Sequence, residues 1–257
     1  MAHIEDTSPP LDETGIKRIQ EIVGEVLFYG RAINNKLLVA LNSICTQQAA
    51  ATETTNEAVN QMLDYLTTYP NDGIMYRSSN IILAAHSDTG FRNESKGCSQ
   101  AVAHIFLSED DPIPWWNGPI FSIAQVIKFV ITSAAEADLA ALYTTAQKLV
   151  PMRQTLIEMG WTQPPTPIQT DNTTAEGVVN KKIVTKKLKS MDLRLHWLRC
   201  WEAKKQFRFY WDKGPNNKGD YHTKQHPPVY HEAKRPLFAG CAHILLHFLK
   251  SQKIKSG

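Results

Sequence analysis

The succession of strand-like and helix-like segments between Ser79 and Trp211 is the feature that most constrains the fold of this chain. Three segments rich in β-branched and aromatic residues follow one another, as in an antiparallel meander, over 79–87, 99–107 and 123–132. Helical patterns follow over 133–149, 151–159 and 186–204, and further strands over 167–171 and 206–211. This order predicts an α/β fold of the α+β kind, a five-stranded mixed sheet flanked by helices.

Different patterns flank this region. Apolar residues recur at helical spacing over 16–44 and 57–68, and the second pattern stops at a strong turn signal, Tyr69-Pro70-Asn71-Asp72-Gly73. The sequence therefore predicts an N-terminal helical segment over 1–77, a mixed-sheet domain over 78–226 and a basic C-terminal tail over 227–257. Within that tail, the apolar run 241–249 leaves two alternatives, a packing helix and an appended tail.

Charge is distributed unevenly along the chain. Residues 1–179 carry 10 Lys/Arg against 20 Asp/Glu, whereas residues 180–257 carry 18 against 5. A basic surface suits a polyanionic partner such as nucleic acid, and a solvated lysine-rich face is the alternative. The four cysteines have neither zinc-ligand nor disulfide spacing, and no apolar run approaches membrane-spanning length. We expect an intracellular protein of the cytoplasm or nucleus, neither secreted nor bound to membranes.

Four acidic residues interrupt apolar structure at points that a mixed sheet can bring together. Asp88 ends the first strand, Glu136 lies in the first turn of the central helix, Asp171 ends the fourth strand, and Asp220 begins the last helical segment. Carboxylates that lie so close together repel one another unless cations bind between them. Mg²⁺ and Mn²⁺ are hard ions that prefer oxygen donors of this kind. On pattern alone, the alternative is that all four are turn and cap residues.

Five motifs surround these acids through 78–226: HSD (86–88), SAAEADLAALY (133–143), TDNTTA (170–175), KSMDLRLHWLRC (189–200) and GDYHTK (219–224). In these motifs and in their order, the region resembles the ribonuclease H domain of copia-type retrotransposon polyproteins. The resemblance implies a ribonuclease H-like fold in which Asp88, Glu136, Asp171 and Asp220 are catalytic and bind two Mg²⁺ (or Mn²⁺) ions. It also implies an endonuclease that hydrolyses the RNA strand of RNA–DNA hybrids by a two-metal mechanism.

The resemblance extends more weakly upstream and has departures. Residues 15–42 and 58–70 look like the helical end of the adjoining reverse transcriptase, from its thumb or connection, yet no YxDD-like polymerase turn occurs before residue 78. The histidine often found before the family's basic helix is absent, since the chain has Lys189-Ser190-Met191-Asp192. The loop 212–219 also lacks a histidine to assist product release, so that His196 and His222 are the nearest candidates.

Substrate contacts are expected from cations, aromatic rings and one amide. A hybrid duplex is bound mainly through its phosphates and shape, and phosphates need cations. On and just before the predicted basic helix these are Lys181, Lys182, Lys186, Lys187, Lys189, Arg194 and Arg199. Trp115 and Trp116 can stack on a base or sugar or cover the core. Asn172, next to Asp171, is expected to bond the substrate, with an Asx-turn as its alternative.

Two functions remain open at this point. The first is a ribonuclease H-type hydrolase with all four acids in use. The second is a catalytically inactive, nucleic-acid-binding remnant of a retroelement that keeps the same fold and basic helix. In either case the expected partners are an RNA–DNA hybrid or other nucleic acid and the rest of a reverse transcriptase polyprotein.

Overall fold

The computed structural model describes residues 6–91, 98–183, 192–223 and 226–238. It divides the chain into two compact units, one formed by residues 77–224 and one formed by residues 2–76 together with 225–257. Its helices are α1 (Glu13–Ala32), α2 (Leu38–Gln47), α3 (Glu53–Thr68), α4 (Ala134–Glu158), α5 (Thr173–Val179), α6 (Asp192–Ala203) and α7 (Pro228–Phe238). Its strands are β1 (Ile82–Gly90), β2 (Gln100–Ser108), β3 (Pro119–Val126), β4 (Thr166–Thr170) and β5 (Phe207–Trp211).

The five strands form one mixed sheet in the order β3-β2-β1-β4-β5. β1, β2 and β3 pair antiparallel, whereas β4 and β5 run parallel to β1. One sheet face packs against α4, α5 and α6 through a core that includes Leu83, Ile105 and Leu142. This arrangement confirms the predicted five-stranded mixed sheet flanked by helices.

Some elements differ from their predicted bounds. α4 is one helix that continues through Pro151, where two helices were predicted. Pro151 removes one helical N–H donor, but Leu149 before it is fully buried in the sheet core, and Met152 and Leu156 after it pack against the same core, which holds both halves on one axis. β3 is Pro119–Val126 rather than 123–132, because its ladder with β2 ends at the Gln100–Val126 pair. The short helix α5 was not predicted.

The second unit is helical, with a core around Ile19, Leu41 and Val59. Asp12 caps α1 by accepting a hydrogen bond from the Gly15 N–H, and Thr52 caps α3 in the same way through Thr55. The helix α7 belongs to this unit, whereas the apolar run 241–249 lies outside the described residues. Within the described ranges, no helix is long and apolar enough to cross a membrane.

Candidate active site

Asp88 and Asp171 lie side by side because their strands are parallel neighbours. Ala85 of β1 is paired with Ile168 of β4, and Asp88 and Asp171 each lie three residues further along the chain, Asp88 within β1 and Asp171 directly after β4. Asp88 is buried, and one of its oxygens accepts a hydrogen bond from the Thr89 backbone N–H at 2.8 Å. Two carboxylates from different parts of the sequence therefore meet where the two strands end.

A third carboxylate, that of Asp138, comes from α4. Its Oδ1 accepts a hydrogen bond from the Thr89 hydroxyl, and its Oδ2 accepts one from the side-chain amide of Asn172 at 2.7 Å. Thr89 directly follows Asp88, and Asn172 directly follows Asp171. The residues next to the two strand-end aspartates thus hold Asp138 in place beside them.

Asp220 is brought to the same site by the loop after β5. Asn217 anchors that loop, because its side-chain amide donates to the Ser87 backbone carbonyl at 2.9 Å and its Oδ1 accepts from the Gly219 N–H. Gly219 packs so closely that a Cβ there would lie 3.1 Å from the Cβ of Asp88. Asp220 follows immediately and begins a short 3₁₀ helix that ends at His222.

The pKa values of these carboxyl groups show that they interact. Burial, followed by the charges of Asp171, Asp138 and Asp220, raises the pKa of Asp88 to about 8. Burial and the charge of Asp171 raise the pKa of Asp138 to about 6, against the lowering effect of its bonds from Thr89 and Asn172. Burial and the charge of Asp220 raise the pKa of Asp171. Asp88, Asp138 and Asp171 are therefore partly desolvated carboxyl groups that repel one another, with the charge of Asp220 beside them.

Glu136, which the sequence analysis placed in this cluster, has a different environment. Its Oε2 accepts hydrogen bonds from the backbone N–H and the hydroxyl of Thr132, just before α4 begins. Its backbone N–H donates to the hydroxyl of Ser133, the N-cap residue. These contacts are those of a residue that closes the first turn of a helix, and none of the shifted pKa values of the aspartates has Glu136 among its causes.

Sequence reasoning missed Asp138, although a signal was available. Residues two apart on a helix point about 200° apart, so Glu136 and Asp138 cannot both face one cleft. Asp138 is followed directly by the apolar run Leu139-Ala140-Ala141-Leu142, whose members are all buried. Asp138 lies at the edge of this buried helix face, where its carboxylate contacts the residues that follow Asp88 and Asp171.

The other predicted contact residues have varied positions. Asn172 is the N-cap of α5: its Oδ1 accepts from the backbone N–H groups of Thr174 and Ala175, while its amide donates to Asp138. The Asx-turn, which was the alternative predicted for Asn172, thus describes the hydrogen bonds that its side-chain oxygen accepts from the backbone. The Arg194 guanidinium lies 3.9 Å from the centre of the Phe129 ring. The predicted lysine contacts Lys186, Lys187 and Lys189 fall outside the described residues.

Two further cations and the two histidines also have definite places. Arg199 donates twice to the Val178 carbonyl and so holds the end of α5, and Lys182 forms an ion pair with Glu176. The cationic groups of Arg199 and Lys182 therefore both have partners within the protein, and neither is an unpaired cation facing a phosphate. His222 is fully buried against the ring of Tyr221, whereas His196 is exposed on α6.

The cluster has the donor chemistry of a site for hard divalent cations. In the part of the chain that the structure describes, no three His, Cys, Asp or Glu side chains are arranged as they stand to hold a metal ion. Burial and the neighbouring aspartates nevertheless raise the pKa values of Asp88 and Asp138, and a bound cation would favour the ionised form of both. Mg²⁺ is bound in proteins through one or two carboxylates and several waters, so the aspartate set fits that ion.

Comparison with known proteins supports the resemblance seen in the motifs. No protein-family model matches this chain. Over 143 residues the chain is 23% identical to the retrovirus-related Pol polyprotein from transposon TNT 1-94 of Nicotiana tabacum. The predicted resemblance to a retrotransposon polyprotein is confirmed. The match covers 56% of this chain and only 10% of the tobacco polyprotein.

Two solved structures are similar to parts of this chain. A ribonuclease H1 isolated from compost is 13% identical, with a TM-score of 0.42, and the match covers 55% of this chain and 92% of that one. A foamy viral protease-reverse transcriptase in complex with dsDNA is 14% identical, with a TM-score of 0.45, and the match covers 82% of this chain and 40% of the viral one.

Gly219 gives a direct test of how closely the loop must approach the cluster. In Gly219→Ala the new Cβ would lie 3.0 Å from the Asn217 Oδ1 and 3.1 Å from the Asp88 Cβ, so the loop must move. We expect Mg²⁺ affinity, measured by isothermal titration calorimetry, to fall about tenfold, the lower bound for disturbing groups that orient metal ligands. Gly24→Ala in α1, where a Cβ meets nothing within 4 Å, is the control. Equal Mg²⁺ affinity in the two variants would refute this account of the loop.

Proposed function

We propose that this chain is a metal-dependent nuclease that hydrolyses the RNA strand of RNA–DNA hybrids. The observation that carries the proposal is the convergence of four aspartates, Asp88, Asp138, Asp171 and Asp220, from β1, α4, the end of β4 and the loop after β5. Buried carboxylates that raise one another's pKa are costly to a fold and are typical of functional sites. Their cost is removed when divalent cations bind.

The proposed metal ligands differ at one position from the four acidic residues expected from the sequence. Asp88, Asp171 and Asp220 keep the metal-binding and catalytic roles expected from the resemblance, and Asp138 takes the role expected of Glu136. Two Mg²⁺ or Mn²⁺ ions, when bound, supply an activated water and stabilise the leaving oxygen of an in-line displacement. Asn172 positions Asp138 through its amide, and Glu136 stabilises the start of α4.

Binding of the substrate is proposed to use the basic region before and within α6. Arg194 together with Lys186, Lys187 and Lys189 would contact phosphates, which makes the affinity dependent on salt. The helical unit is proposed to derive from the end of a reverse transcriptase, so that the rest of such a polyprotein is a further proposed partner. An intracellular location, in cytoplasm or nucleus, remains part of this proposal.

Cleavage of an end-labelled hybrid tests the proposal. With Mg²⁺ or Mn²⁺ the wild-type chain should cut the RNA strand within the hybrid and leave 3′-hydroxyl and 5′-phosphate ends. Asp171→Asn should be inactive, and Asp64→Asn, at an exposed position of α3, should cut like the wild type. If the wild type binds hybrid but cuts no faster than Asp171→Asn with either ion, the non-catalytic, nucleic-acid-binding function replaces this one.

A further inference from the structure

A cavity lies at the far end of β1 from the aspartate cluster. It has a volume of about 250 Å³, and its lining includes Arg77, Ser78, Glu109, Trp115 and Trp116. All of these residues belong to the mixed-sheet unit. Ser108, also in the lining, pairs with Ile82 at the start of β1, whereas Asp88 is six residues further along that strand. At about 3.3 Å per residue the cavity lies about 20 Å from the cluster.

The walls of this cavity are fixed by hydrogen bonds from three sides. The Asn117 side chain accepts from the Arg77 N–H and donates to the carbonyls of Arg77 and Leu107. The Ser108 hydroxyl donates to the Trp115 carbonyl. Arg208 of β5 donates to the carbonyls of Asp111 and Pro112, in the loop that leads to the tryptophans. The two indoles are therefore held on a preorganised loop rather than on a loose surface turn.

The functional groups that face this cavity are those that recognise a nucleotide. The Arg77 guanidinium lies 4.8 Å from the centre of the Trp116 ring and has no hydrogen bond or ion pair with the residues that the structure describes. Burial lowers its pKa, which means that it is partly desolvated. Trp115 is 59% exposed and presents a free aromatic surface. An unpaired guanidinium binds phosphate, and an exposed indole stacks on any base.

The carboxylate of Glu109 makes the cavity more selective. It is exposed and forms no hydrogen bond or ion pair with described residues, so it adds one acceptor to a site with one guanidinium. A carboxylate repels a second phosphate but accepts from the exocyclic amino group of a base such as cytosine. The set of groups therefore suits one nucleotide unit and not a continuous duplex backbone.

We propose that this cavity binds an unpaired nucleotide of a single-stranded extension next to the hybrid, with the base stacked on Trp115 and the phosphate bound by Arg77. This proposal rests on the proposed function, since it adds a subsite to a nucleic-acid-binding unit. At about 3.4 Å per nucleotide, the separation of about 20 Å places the extension roughly six nucleotides from the carboxylates.

Fluorescence anisotropy with labelled hybrids in EDTA tests this subsite without cleavage. The wild type should bind a hybrid carrying an oligo(dC) extension about fivefold or more tightly than a blunt hybrid, the lower end for stacking of one base. Trp115→Ala and Arg77→Ala should each lose that gain and bind the blunt hybrid as the wild type does. Trp161→Ala, which removes an exposed indole outside the cavity, should keep it.

The outcomes separate this proposal from the proposed nuclease activity. If the extension gives the wild type no gain, or if Trp115→Ala keeps the full gain, the subsite is refuted even when Mg²⁺-dependent cleavage of blunt hybrid is intact. If cleavage is absent but the extension-dependent gain is present and lost in Trp115→Ala, the subsite stands and the nuclease proposal fails. Thermal unfolding of each variant checks that the loop change has not unfolded the sheet unit.

Discussion

Replacing Asp138 by Asn is expected to abolish Mg²⁺-dependent cleavage, whereas replacing Glu136 by Gln is expected to leave most of it. Groups that merely orient metal ligands are worth about 10–100-fold, so loss of a carboxylate ligand at Asp138 should lower the cleavage rate by more than about 100-fold. Glu136→Gln keeps one oxygen that can accept from Thr132. Its cleavage rate should stay within about tenfold of the wild type, below the effects of the ligands themselves.

The measurement is single-turnover cleavage of a labelled hybrid at saturating protein, so that altered binding does not enter the rate. The two substitutions form a matched pair, since both replace a carboxylate by its amide and they lie two residues apart on α4. The reverse result, an inactive Glu136→Gln and an active Asp138→Asn, would return Glu136 to the metal site. Asp138→Asn should fold normally, because it relieves repulsion from Asp171.

The metal-free protein is expected to lose stability as the pH rises from about 5 to 8. Since the pKa of Asp88 is raised to about 8 and that of Asp138 to about 6, the folded state binds more protons than the unfolded state in this range. The free energy of unfolding then falls with pH, by up to about 1.4 kcal/mol per pH unit for each proton involved. Below about pH 3 these carboxyl groups are protonated in both states, and this dependence ends.

Asp88→Asn should flatten that dependence and should be more stable than the wild type at pH 8 by about 1–3 kcal/mol, the usual size of a single-site effect. Urea unfolding in EDTA at several pH values, followed by tryptophan fluorescence, gives the comparison. All six tryptophans lie between residues 115 and 211, so the signal reports on the mixed-sheet unit. Mg²⁺ should stabilise the wild type but not Asp88→Asn. A wild-type stability that is constant or rises between pH 5 and 8 would contradict the repulsion inferred here.

The order of the elements was predictable because local patterns carry it. The meander β1-β2-β3 and the strands β4 and β5 follow from runs of β-branched and aromatic residues. The first and last residues of the helices and strands were less predictable where tertiary contacts determine them. Pro151 breaks a helix by local rules, yet burial of Leu149 against the sheet keeps α4 continuous. α5 is short, with seven residues, and its N-cap amide also bonds to Asp138, which lies 34 positions away.

The sequence by itself determined that one acidic residue lies near the end of β1, that another directly follows β4, and that a third begins the segment after β5. β1 and β4 pair in parallel, and the register of that pairing brings Asp88 close to Asp171. Only the tertiary structure decided which carboxylate of α4 joins them. Glu136 and Asp138 carry the same charge and lie only two residues apart in the sequence. Which of them joins the two strand aspartates depends on which side of α4 packs against the sheet. The apolar run after Asp138 indicates the buried side of the helix, but the position of that side against β1 and β4 is a packing property set by tertiary contacts.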